Sequence, residues 1–180
     1  MHRIELNDGL SIPQVGLGVW QMSHEDVMGS MKAAWDSGYR HVDTAAIYRN
    51  EDSVGAALKT LDRDQMWVTT KVWNDDIRNG TTLDAVKRSL ALLELKSVDL
   101  VLLHWATDGR NQAFADLLKA KEQGLCKSVG VSNFMPEPLE PLIAETGARP
   151  SVNQIAGYPA VVGAARQHRA AQVENAEPGN

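Results

Sequence analysis

Asp43, Tyr48, Lys71 and His104 stand at or just beyond the ends of three strand-like runs, "YRHVDTA" (39–45), "MWVTTKVW" (66–73) and "VDLVLLHW" (98–105). A phenol releases its proton reluctantly near neutral pH, and a neighbouring cation eases that release by favouring the phenolate. Lys71 is the residue to supply the charge, and Asp43 the one to hold its ammonium in place. His104 is suited to donate a hydrogen bond to a carbonyl oxygen and to relay proton character to or from Tyr48. Singly, each is a polar residue meeting solvent at a strand end. Together they form a set for adding a proton to a carbonyl oxygen while another agent delivers hydride to the carbon.

Elements must bring these groups together. Six strand-like runs, at 15–20, 39–45, 66–73, 98–105, 127–133 and 151–157, alternate with helical patterns near 24–37, 50–61, 80–95, 111–123 and 136–146. This alternation predicts βαβ units and a parallel sheet, with Tyr48 just inside the next helix. The two-residue strand period puts His41 with Asp43 on one face, and likewise Thr69 with Lys71, Leu102 with His104, Gly130 with Ser132, and Val152 with Gln154. Runs such as "VDLVLL" are apolar on both faces, as in a sheet covered on both sides or closed into a barrel. Five successive strands ending in polar groups favour the barrel, whose active sites form at the C-terminal mouth. The Gly-x-Gly of "GLGVW" lacks the third glycine and the following acidic residue of a dinucleotide-binding loop, which weakens the open-sheet alternative.

Local signals support the division. Ser23 is a candidate cap for the first helix, and Gly38 a candidate left-handed terminator. Leu83, Val86, Leu90 and Leu93 recur at helical spacing. Asn7-Asp8-Gly9 between two short apolar runs predicts an N-terminal β-hairpin. "LDRD" (61–64) reads as a solvated helix end and "NDDIRNG" (74–80) as a loop with a helix cap.

With 43% hydrophobic residues, 23% charged residues and a net charge of -5 over 180 residues, the chain reads as a soluble globular protein, and a nucleic-acid partner is not expected. The single cysteine, Cys126, excludes an internal disulfide and suits a reducing compartment. No apolar signal region or membrane-length run is visible, so the expectation is a cytoplasmic protein with no membrane partner. The His41-x-Asp43 pair suggests a metal-dependent hydrolase barrel only weakly, because no second histidine pair follows, and no metal is expected. His2, His24 and His168 are expected at the surface without partners.

The strings "GLGVWQ", "GYRHVDTAAIYRNE", "TTKVWN", "LLHW", "GVSNF" and "VNQI", in this order and spacing, resemble the aldo-keto reductases. These are (β/α)8 enzymes, of the TIM-barrel type, that reduce aldehydes and ketones with NADPH. The resemblance implies that Tyr48 is the proton donor, with Asp43, Lys71 and His104 as partners. It implies that Ser132, Asn133 and Gln154 hold the nicotinamide carboxamide, with Asp43 and the backbone of Gly18, Val19 and Trp20 beside the cofactor. Trp20, Tyr48, Trp73, His104 and Trp105 would wall the pocket of a small carbonyl substrate. Within the family the chain is most similar to the small bacterial branch of 2,5-diketo-D-gluconate and methylglyoxal reductases.

Two departures from the family pattern carry expectations of their own. Ala106 follows His104-Trp105 where proline is usual. After "VNQI" the sequence leaves the family pattern, predicting about six of the eight barrel strands over 1–160 and a poorly ordered tail over 161–180. Family members are often monomeric, whereas exposed barrel edges here would favour self-association. The alternative to a working reductase is a catalytically inactive barrel fragment or a non-enzymatic binding protein.

Overall fold

The computed structural model describes residues 2–157. β1 (Arg3–Glu5) and β2 (Ser11–Pro13) form the expected antiparallel hairpin, with Ile4 opposite Ile12. Gly9 takes φ 82°, the left-handed conformation that the turn requires and that glycine adopts without strain.

Six strands follow, all parallel and paired in chain order: β3 (Leu17–Gly18), β4 (His41–Asp43), β5 (Trp67–Val72), β6 (Val98–Leu103), β7 (Cys126–Ser132) and β8 (Asn153–Gln154). Between them lie α1 (His24–Asp36), α2 (Glu51–Leu58), α3 (Asn74–Arg78), α4 (Thr82–Leu93), α5 (Arg110–Glu122) and α6 (Pro136–Thr146). The sheet is six strands of a TIM-type barrel. Its two faces carry different cores. Val42, Val68, Val101 and Val129 point outward and pack with Leu93, Phe114 and Leu117 of the helices. Trp67, Leu100 and Leu102 point inward and meet Leu6, Leu10 and Ile12 of the hairpin segment and Val152. Alternation along β5 and β6 therefore feeds both cores, which is why these runs read as continuously apolar.

Ser23 caps α1 through a reciprocal capping box with Asp26, and Gly38 follows the helix at φ 89°. Val86, Leu90 and Leu93 of α4 are buried, and Leu83 packs partly against the same core.

Four local expectations are corrected. Residues 74–80 contain the short helix α3 rather than a capped loop. Acidic Asp75 and Asp76 open it, Arg78 closes it, and Ile77 anchors it at 1% exposure; one apolar residue in a polar string leaves no period to read. Tyr48 ends a separate 3₁₀ turn (Ala46–Tyr48) and precedes α2. Arg63, in the stretch read as a solvated helix end, pairs with the buried Asp99 at 3.0 Å. His24 is exposed but its Nδ1 lies 2.9 Å from Ser53 Oγ, so it does have a partner. Both His168 and the tail expected over 161–180 lie outside the described residues. Among the described residues no helix is long and apolar enough to cross a membrane.

Candidate active site

Asp43 closes β4, and Lys71 sits one residue before the end of β5, opposite Leu102 of β6. Lys71 is 1% exposed. An ammonium has three N–H donors, and a buried one left unpaired is strongly destabilising. Here each donor has an acceptor: Lys71 Nζ pairs with Asp43 Oδ1, donates to the Thr44 carbonyl at 3.0 Å, and reaches Tyr48 Oη at 3.4 Å. The 3₁₀ turn after β4 is what brings the phenol back over the lysine. Lys71 Nζ lies 5.1 Å from the Tyr48 ring centroid.

Asp43 also joins strands that are not neighbours. Its Oδ2 accepts from Gln154 Nε2 at 2.8 Å, linking β4 to β8 across the inner face of the sheet.

His104 follows β6 and meets Tyr48 and Trp73 edge-on, with ring centroids 5.8 and 5.1 Å apart. Burial, and then the Lys71 charge, hold its pKa down at about 4 against the opposing pull of Asp43. The imidazole is therefore neutral near pH 7. Its Nδ1 is enclosed with no partner among the described residues, and the tautomer with the ring proton on Nε2 is the one that leaves no buried N–H unpaired there.

The ends of β7 and β8 form a compact polar cluster. Ser132 Oγ donates to the Gln154 carbonyl at 2.9 Å, and Asn133, at φ 58°, donates from Nδ2 to Ser132 Oγ at 3.0 Å and to the His104 carbonyl at 3.3 Å. Asn133 Oδ1 accepts from Ala156 N at 2.9 Å. Gln154 Oε1 accepts nothing among the described residues. A carboxamide needs one acceptor for its NH₂ and one donor for its carbonyl. Gln154 Oε1 is an open acceptor for the NH₂; the Ser132 hydroxyl and both Asn133 Nδ2 hydrogens are engaged within the cluster, so they fit the carbonyl of that group only by exchanging one of these bonds, of which the 3.3 Å bond to the His104 carbonyl is the longest.

A cleft of about 390 Å³ is lined by Trp20, Tyr48, Trp73, His104 and Trp105 on its aromatic side, with Ser132, Asn133 and Gln154 opposite. Asp43 and Lys71 lie outside its lining. Asp43 and Gly18 border an adjoining space of about 350 Å³, and Gln154 reaches both. The Val19 side chain is fully buried in the outer core, so only its backbone is available to a ligand.

Residues beyond the expected set also shape the site. Ile47, Ile155 and Ala156 line the cleft. Asn50 is buried; it donates to the Val19 carbonyl at 2.8 Å and accepts from Thr44 Oγ1 at 2.9 Å, tying the Trp20 loop to the end of β4. Its one signal is a polar residue just before a helix, which reads as a cap, yet its side chain makes no capping bond. His41 Nε2 lies 2.9 Å from Thr69 Oγ1 within the sheet.

Comparison with known proteins gives a consistent result. A model of the aldo/keto reductase family matches residues 13–171. The chain is 48% identical over 163 residues to an aldo-keto reductase of Mycolicibacterium smegmatis, and 44% identical over 161 residues to the methylglyoxal reductase DkgA of Escherichia coli. Each match covers 87% of this chain, which spans 59% and 58% of those relatives. Among solved structures, an aldo/keto reductase from Brucella melitensis superposes with a TM-score of 0.83 at 43% identity, covering 88% of this chain and 64% of the other. A Bombyx mori aldo-keto reductase in complex with NADP gives 0.82 at 30% identity, covering 93% and 63%.

Proposed function

The chain belongs to the aldo/keto reductase family, and from that premise we propose that it reduces an aldehyde or ketone to an alcohol with NADPH as reductant and Tyr48 as proton donor. One observation carries the reading: a buried ammonium whose three acceptors are Asp43, the Thr44 carbonyl and Tyr48 Oη.

NADPH, when bound, would supply the hydride that the carbonyl carbon takes up. The protein's own groups act on the oxygen. Tyr48 Oη and the protonated Nε2 of neutral His104 flank the position for that oxygen, and both donate hydrogen bonds to it. As negative charge develops there, Tyr48 transfers its proton, and Lys71 stabilises the phenolate left behind. Asp43 holds Lys71 and, through Gln154, sets the strand end that bears the carboxamide-binding cluster. Ser132, Asn133 and Gln154 hold the nicotinamide end of the cofactor. Trp20, Trp73 and Trp105 shield the reacting carbonyl from water. The carbonyl substrate is small, in keeping with the cleft volume and with the methylglyoxal reductases among the relatives.

Replacing Tyr48 by phenylalanine removes the proton while keeping the ring. Turnover of a generic aldehyde is expected to fall by about 10² to 10⁴-fold, the usual worth of acid–base help. Circular dichroism should be unaltered. An unchanged rate in Tyr48→Phe would overturn the assignment.

A further inference from the structure

A cavity of about 460 Å³ lies at the end of the sheet away from Tyr48 and His104, between the hairpin and the starts of β4 to β7. Leu10, Met66 and Trp67 give it an apolar wall. Arg3 of β1 and Arg40, the residue before β4, bring two guanidinium groups to the same space.

Both guanidiniums are held in place by neutral groups. Arg40 Nη1 donates to the Trp35 and Tyr39 carbonyls at 3.0 and 2.7 Å, and the guanidinium carbon stacks 3.7 Å from the Trp35 ring centroid. Arg3 Nε donates to Ser11 Oγ at 2.9 Å, and its Nη2 to the Ser11 carbonyl. Among the described residues neither makes an ion pair. A guanidinium carries five N–H donors, so Nε and Nη2 of Arg40 and Nη1 of Arg3 are left without an acceptor there.

The carboxylates of the cavity do not supply the missing charge. Asp99 is 4% exposed and already engaged by Arg63 at 3.0 Å, Lys127 at 2.7 Å and the Val68 amide at 2.9 Å. Asp64 stands exposed at the rim and makes no ion pair among the described residues. Two fixed guanidiniums from separate elements therefore line one cavity with a surplus of positive charge. A carboxylate satisfies one such fork, whereas a phosphate monoester, with three terminal oxygens and a charge near about -2, satisfies two.

We propose that this cavity binds an organic phosphate monoester, its phosphoryl oxygens on Arg3, Arg40 and the Ser11 hydroxyl and its carbon part against Leu10, Met66 and Trp67. The site is independent of the carbonyl chemistry at the opposite strand ends. A ligand there joins the hairpin to the sheet and stabilises the folded chain by mass action.

The test is titration of the 180-residue chain with phenyl phosphate, inorganic phosphate and benzoate at low ionic strength, followed by amide NMR. Phenyl phosphate should saturate with a Kd of about 0.1–1 mM, and inorganic phosphate and benzoate should each bind about tenfold more weakly, one lacking the ring and the other the second charge. Shifts should centre on Ser11, Arg40 and the Trp67 indole N–H, and binding should weaken as salt is added. Arg3→Gln should weaken phenyl phosphate about three- to tenfold, and Asp64→Asn, which removes a repelling charge, should tighten it about twofold. Tyr48→Phe should leave it unchanged. No saturation below about 10 mM, benzoate binding as tightly as phenyl phosphate, or shifts centred on Ser132 and Asn133 would overturn the proposal. So would an affinity unchanged in Arg3→Gln; if circular dichroism shows that variant unfolded, an affinity unchanged in Asp64→Asn decides in the same sense.

Discussion

Lys71 illustrates how the site is held at the scale of single residues. Its charge is tolerable at 1% exposure because three oxygens complete its donors. Removing one partner of such a buried pair typically costs about 3–5 kcal/mol, since the other charge is then uncompensated. The same enclosure acts on His104 with opposite effect. Its folded pKa of about 4 lies below its ordinary 6.5, with burial the first cause and Lys71 the second. Between pH 6.5 and 4 the unfolded chain therefore carries a proton that the folded chain does not. The contribution to stability is fully present above pH 6.5 and is lost on acidification through that window, by about 3 kcal/mol in all. His41, whose pKa is lowered chiefly by burial, adds in the same direction. Urea unfolding measured from pH 7 to pH 4 should show stability falling more gently in His104→Asn than in the parent chain. Equal slopes would mean that His104 does not titrate as its burial requires.

At the scale of elements, the loops after the strands matter more than the strands. β3 has two residues, and its following loop carries Trp20 into the cleft with Gln21 at φ 60°. Asn50 holds that loop from the N-terminus of α2 by its bonds to Val19 and Thr44. Asn50→Ala leaves a buried carbonyl and a buried hydroxyl without these bonds, which should destabilise the fold by about 1–3 kcal/mol. It should also speed amide hydrogen exchange at Val19 and Met22, whose N–H groups donate to Asp43 and Val19. Unchanged exchange there would show that the loop is held by other contacts. Gly130 serves β7 and β8 in a comparable way: a Cβ there would stand 2.5 Å from the Val152 carbonyl, so only glycine lets the strand before Gln154 approach so closely.

For the whole molecule, the hairpin turn is the fastener at the end of the sheet away from the cleft. Asp8 Oδ2 accepts from Lys121 of α5 at 3.0 Å, Ser128 of β7 at 2.8 Å and Ser151 at 3.0 Å, and Asn7 donates to the Pro150 carbonyl at 3.1 Å. Burial alone would raise the Asp8 carboxyl, but these donors and the Leu10 amide outweigh it and hold it below the ordinary value. Its contribution is therefore present above pH 3.8 and lost as the pH falls through the lowered value. Asp8→Ala should lower stability by about 2–3 kcal/mol, read as the urea midpoint at pH 7. Turnover per folded molecule should stay the same, because the groups proposed to react sit at the opposite strand ends. A loss of turnover at full folding would mean that the hairpin sets the geometry of the cleft.

What the sequence by itself determined is what depends on neighbours along the chain. The alternation of strands and helices, the capping box at Ser23, the turn at Gly9 and the succession of Asp43, Tyr48, Lys71 and His104 are all legible because propensity, period and motif are local properties. The tertiary structure decided which of these groups touch. That Asp43 bonds Gln154, 111 positions away, depends on the curvature that brings β8 across from β4. That Asn50 turns back to Val19 instead of capping its own helix depends on where the Trp20 loop runs. That Lys71 meets Tyr48 depends on a 3₁₀ turn whose three residues carry no periodic signal. Each of these contacts is set by sheet register and by the path of a loop in space, and neither is encoded in the spacing of residues along a single element.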